Sequence, residues 1–111
     1  MLSSEESQVV IHCSYAGGMF GGHKIRIWKS ISLIPRNSTE KCKLVHAERV
    51  SIAPAWTEVP PLKLFSFTLI FTGLPKDCVL FDLIEDIPKP NGIIVKGIRR
   101  NRSDVYTVDI L

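Results

Sequence analysis

Residues 65–71 read Phe-Ser-Phe-Thr-Leu-Ile-Phe, with Phe65, Phe67, Leu69 and Phe71 at alternate positions and Ser66 and Thr68 between them. A period of two places the apolar set on one face of an extended chain, whereas a helix would scatter the phenylalanines round its axis. The segment is therefore a strand with one buried face. Gly73 and Pro75 punctuate the turn after it, and the apolar run 78–84 resumes as a second strand, expected to neighbour the first. Upstream, residues 8–14 and 23–29 are rich in Val, Ile and aromatic residues and predict two strands, separated by the glycine-rich link 16–22. Residues 43–52 form a longer β-leaning stretch. Residues 53–61 carry Pro54, Pro60 and Pro61, and proline lacks the donor that a central strand needs, so this segment is an edge or a crossover. Residues 92–98 and 105–110 predict two further strands with the polar turn 99–104 between them. Seven or eight short antiparallel strands without an amphipathic helix predict an all-β protein, an immunoglobulin-like β-sandwich, with a small barrel as the alternative.

At 111 residues the chain is one domain, 1–111, because two cores would leave each half too small to be stable. Hydrophobic residues make up 45% and charged residues 23%, ordinary globular values that exclude disorder. The mean hydropathy of +0.15 is high for so small a chain and points to apolar surface covered by a partner. Apolar runs fall far short of the roughly 20 residues of a membrane span, so no membrane insertion is expected. The opening Met-Leu-Ser-Ser-Glu-Glu-Ser has acidic residues where a signal peptide is basic, which predicts a cytoplasmic location, or an envelope or secreted one if a leader has been removed. A net charge of +3 is too mild for a nucleic-acid binder.

The run from Phe67 to Glu85, with Phe67, Leu69 and Phe71, then Gly73-Leu-Pro75, then Asp82 and Glu85, resembles uncharacterised bacterial β-sandwich modules. In those an F-x-L-x-F strand meets a G/P-L-P turn and a strand ending in D-x-x-E. The similarity is specific over residues 65–86, extends to about residue 110 and does not reach residues 1–40. It implies an immunoglobulin-like sandwich without catalytic residues, of a kind that often sits beside thioredoxin-like or envelope-associated domains.

Asp82, Glu85 and Asp86 cluster near a strand end, where paired carboxylates suit a cation or acid–base chemistry, so a metal-dependent hydrolytic enzyme is one alternative. Strand alternation sends Asp82 and Asp86 one way and Glu85 the other, which favours a solvated strand end. His12, His23 and His46 with Cys13 or Cys42 are zinc-type donors, but their spacings match no zinc pattern, and no metal or cofactor is expected. Cys13, Cys42 and Cys78 are odd in number and predict buried, reduced thiols. Lys96, Arg99, Arg100 and Arg102 form a basic patch near Tyr106, offset by Asp104, and read as a charged turn. Asn37 and Asn101 start glycosylation-type triplets, which carry no weight without a secretory route.

Four residues are the candidate binding set. Met19 and Phe20 are large apolar side chains within the Gly17–Gly22 loop and serve as a contact surface or a core plug. Trp28 and Trp56 suit a carbohydrate-binding face, provided that at least one indole is exposed. No catalytic residue is assigned. The expected function is a non-enzymatic binding or protein-interaction module, with a carbohydrate-binding sandwich as the rival ligand class. A homodimer is expected, formed either by pairing of residues 105–110, a strand with Asp109 but neither lysine nor proline to guard its edge, or by packing of an apolar sheet face.

Overall fold

The alternation at 65–71 forms strand β6 (Leu64–Thr72), in which Phe67, Leu69 and Phe71 are almost inaccessible to solvent while Ser66 and Thr72 are exposed. A computed structural model describes residues 8–16, 23–59, 64–87 and 92–110. In chain order the other strands are β1 (Gln8–Ala16), β2 (His23–Ile25), β3 (Ile31–Pro35), β4 (Cys42–Glu48), β5 (Thr57–Val59), β7 (Leu80–Glu85), β8 (Ile94–Arg99) and β9 (Val105–Ile110). The fold is all-β. No helix among the described residues is long and apolar enough to cross a membrane.

Seven strands form one sheet in the order β8-β7-β3-β4-β6-β1-β9, and β2 and β5 form a separate two-stranded ribbon. The seven-stranded sheet curls until it is nearly closed like a barrel. Its pairings are antiparallel except for β1 with β9, which are parallel, so the sheet is mixed where only antiparallel strands were expected. The turn after β8 produces this arrangement by spanning the two ends of the sheet. The Arg100 amide donates to Val79 O at 2.7 Å, and the Val10 amide donates to Asp104 O at 2.9 Å. β9 thereby reaches the free edge of β1 running in the same direction.

Two further expectations are corrected. β6 and β7 are not neighbours: β6 lies between β4 and β1, and β7 between β3 and β8. Residues 73–79 are thus a crossover rather than a hairpin turn. β3 adds a strand that alternation does not reveal, because Ile31, Ser32, Leu33 and Pro35 are all buried and a strand covered on both faces shows no period of two. Pro35 ends it, where a missing donor is tolerated. The edge reading of residues 53–61 agrees with β5, which among the described residues pairs with β2 alone. Pro60 and Pro61 lie outside the described residues.

β4 changes partners along its length. Cys42 and Lys43 pair with β3, whereas Leu44 and, after a register shift at Val45, His46 to Glu48 pair with β6. Arg49, with φ of 68°, ends the strand. The core inside the curl is built on Phe67, Phe71 and Phe81 with Ile11, Leu33, Leu69 and Leu83. Each such side chain contributes ~1.5–3 kcal/mol through removal from water. Phe81 meets Tyr106 edge-on, with ring centroids 5.1 Å apart, which ties β7 to β9 across the interior.

Candidate functional site

Alternation along residues 25–28 sends Ile25 and Ile27 into the core and Arg26 and Trp28 to the other side. Ile27 forms a parallel bridge with Ile52: its amide donates to Ser51 O, and its carbonyl accepts from the Ala53 amide, each at 2.8 Å. The pairing of Ile25 with Thr57 closes the same unit, and Thr57 Oγ1 accepts the Ser51 amide at 2.8 Å. These contacts bring Trp56, just before β5, over Arg26. The guanidinium carbon lies 3.9 Å from the Trp56 ring centroid and 5.3 Å from that of Trp28. Arg26 Nη1 also donates to Pro54 O at 3.1 Å, which fixes the cation between the two indoles. Trp56 remains 51% exposed, and Trp28 is half-buried.

The aromatic stack opens onto a cleft of about 730 Å³, lined among others by Tyr15, Lys24, Trp28, Trp56, Glu85 and Asp109. Glu85 holds its walls together. This carboxylate is 6% exposed, and it accepts the Trp28 amide on Oε2 at 2.8 Å and the Ile93 amide on Oε1 at 3.1 Å. Its own amide donates to Ile93 O at 2.8 Å. The two chains approach so closely that a side chain at Gly92 would meet Glu85 O at 2.7 Å.

The expected acidic cluster is divided. Glu85 shares the buried face of β7 with Phe81 and Leu83, whereas Asp82 lies on the opposite face. Asp82 Oδ1 accepts from Arg36 Nη2 at 2.9 Å and from the Gly97 amide at 2.8 Å. Those bonds, the Gly97 amide first and the Arg36 guanidinium second, hold its carboxyl below the usual aspartate range. Gly97 has φ of 72°, a conformation suited to glycine at the irregularity in β8. Asp86 is exposed, and its carbonyl accepts the Ser30 hydroxyl at 2.6 Å. Paired-carboxylate chemistry would require these groups to converge, and they do not.

The histidine and cysteine candidates also remain apart. His12 is exposed and hydrogen-bonded to Thr68 Oγ1 at 2.9 Å, while its neighbour Cys13 points into the core. His46 lies 3.5 Å from Glu48, and the side chain of His23 is outside the described residues. Cys13, Cys42 and Cys78 are buried free thiols; burial pushes Cys13 up to about 12 and raises the other two. No group of three or more metal-ligating side chains occurs among the described residues. In the basic turn, Arg100 forms a two-point pair with Asp104, both bonds at 3.0 Å, and also donates to Pro75 O. Tyr106 donates to Asp104 at 2.8 Å and accepts the Asn101 amide at 3.1 Å, so its hydroxyl is engaged in the turn rather than presenting a stacking face.

Of the four proposed binding residues, the structure brings Trp28 and Trp56 together. Met19 and Phe20 lie outside the described residues. Arg26 and Tyr15 were not singled out from sequence, and Glu85 was considered only with Asp82 and Asp86 as a cation or acid–base candidate. The spacing of Arg26 and Trp28, two apart in an extended stretch, was the available signal for the first. No family model, curated protein or solved structure matches this chain.

Proposed function

We propose that the protein is a non-enzymatic binding module and that its ligand sits in the cleft beside Trp28, Arg26 and Trp56. The carrying observation is the half-exposed Trp56 ring, backed by a fixed cation at the mouth of a concave site. An exposed large aromatic held rigidly over a cleft is a recognition feature, because it contributes contact area without loss of side-chain freedom on binding. Both oxygens of the one carboxylate buried in the cleft are occupied by backbone amides, which supports binding rather than acid–base chemistry.

Among ligands, a carbohydrate is the reading we favour. Sugar rings stack their C–H faces on indoles, and the polar rim of Lys24 and Asp109 suits hydroxyl groups. The test is titration of the protein with a panel of neutral and acidic oligosaccharides while the two indole N–H resonances are followed by NMR. Both should shift together, and Trp56→Ala should abolish the response.

We further propose that the fold belongs with the immunoglobulin-like sandwiches and with the bacterial modules that share the F-x-L-x-F and D-x-x-E strands. The partner exchange of β4, from β3 at Cys42 and Lys43 to β6 from Leu44 onward, supports this, because strands that switch partners form the corners of sandwiches. A homodimer through β9 is part of the same proposal. Among the described residues that strand is paired on one side only, and it presents Val105 at 43% exposure.

A further inference from the structure

We infer that the seam between β3 and β4 is a docking groove for an extended acidic segment of a partner protein, which adds to β4 as an extra strand. The seam exists because β3 and β4 pair only at Ser32 with Lys43 and at Leu33 with Cys42. Beyond Lys43 the two strands diverge, and from Leu44 to Glu48 β4 has a strand partner only on the β6 side among the described residues. A cavity of about 730 Å³ fills the gap. An unpaired edge beside an open groove is the geometry used when a peptide augments a sheet, with backbone bonds supplying affinity and side-chain pockets supplying specificity.

Charge selects the occupant. Lys29, Lys41 and Lys43 line the groove, and none has a carboxylate within 4 Å among the described residues, where the ion pairs are Arg36 with Asp82, His46 with Glu48 and Arg100 with Asp104. Asp86 is the single acidic residue of the lining. Three cations facing one carboxylate attract an acidic strand. A second copy added antiparallel about His46, the middle of that edge, would instead set Lys43 of each copy opposite Arg49 of the other, which is repulsive. Val45, 51% exposed, and the partly buried Leu44 and Ile52 provide the apolar part of the groove, so the matching segment alternates acidic and apolar residues. This surface is separate from the aromatic cleft, with which it shares no lining residue.

The test uses a fluorescein-labelled ten-residue peptide of alternating glutamate and valine, with the alternating lysine and valine peptide as control, and reads fluorescence anisotropy with the whole chain. The acidic peptide should bind saturably and the basic one should not. Charge reversal at Lys29→Glu, Lys41→Glu and Lys43→Glu should weaken binding at least tenfold, whereas Trp56→Ala should leave it unchanged. Hydrogen exchange on the wild-type protein provides a readout independent of any variant's folding: amides between Leu44 and Glu48 should gain protection when the acidic peptide is bound. Absence of saturable binding, binding indifferent to charge reversal, or protection confined to other segments would each overturn the proposal, and the lysines would then be guards that keep an open edge from aggregating.

Discussion

Glu85 Oε2 accepts the Trp28 amide at 2.8 Å, so a carboxylate at the buried end of β7 positions the backbone of an indole that walls the cleft. The other oxygen accepts the Ile93 amide. Glu85→Ala would orphan both donors, and an unsatisfied buried donor costs ~1–3 kcal/mol. The variant should unfold at a lower urea concentration, with a loss of about 2–6 kcal/mol over the two bonds. In a folded sample, the Trp28 indole resonance should shift more than that of Trp56.

Asp82 contributes stability that depends on pH. Its folded pKa lies below the ordinary value of 3.8, so the contribution is fully present above that value and is lost as the pH falls through the depressed folded value. Asp82→Asn should remove about 1–2 kcal/mol at neutral pH, because charged hydrogen bonds to Arg36 and Gly97 become neutral or unfavourable. Denaturation curves at pH 7 and at pH values below 3.8 should show the gap between variant and wild type narrowing with acid.

The three thiols should be silent in the native protein. Cys13 is 1% exposed and burial pushes it up to about 12, while Cys42 and Cys78 are each 4% exposed and raised by burial. Since the thiolate is the reactive form, labelling with a thiol reagent at pH 8 should be slow in buffer and reach three equivalents in denaturant.

How far these features were legible beforehand differs by element. β6 and β9 follow from alternation, because each has one covered and one solvated face. β3 escaped because it is buried on both faces and ends in proline. The parallel pairing of β9 with β1 joins strands from the two ends of the chain, and no local pattern encodes which distant edge a strand will meet. Trp28 and Trp56 were identifiable as candidates from residue type alone. Their meeting across Arg26 was not, since it depends on the bridge between Ile27 and Ile52. Glu85 carried a usable signal: it shares the parity of Phe81 and Leu83, which places it inward.

Dimerisation through β9 gives a prediction of its own. Light scattering should return about twice the chain mass of 12.5 kDa at micromolar concentration. Thr107→Pro, placed on the exposed edge strand, should shift the population toward monomer, because proline removes a donor from any added ladder. A wild-type monomer at high concentration would remove the homodimer from the account.

The most direct test of the binding proposal is a glycan array probed with wild-type protein and with Trp56→Ala side by side. Trp56 is half-exposed, so its loss should leave the thermal midpoint nearly unchanged. A base stacked on an aromatic face is worth ~1–3 kcal/mol, and a loss on that scale at Trp56 corresponds to roughly five- to 150-fold in affinity. The account predicts that wild type retains a defined set of glycans and that Trp56→Ala loses them. Equal retention by the two proteins, or no retained glycan with wild type, would contradict it.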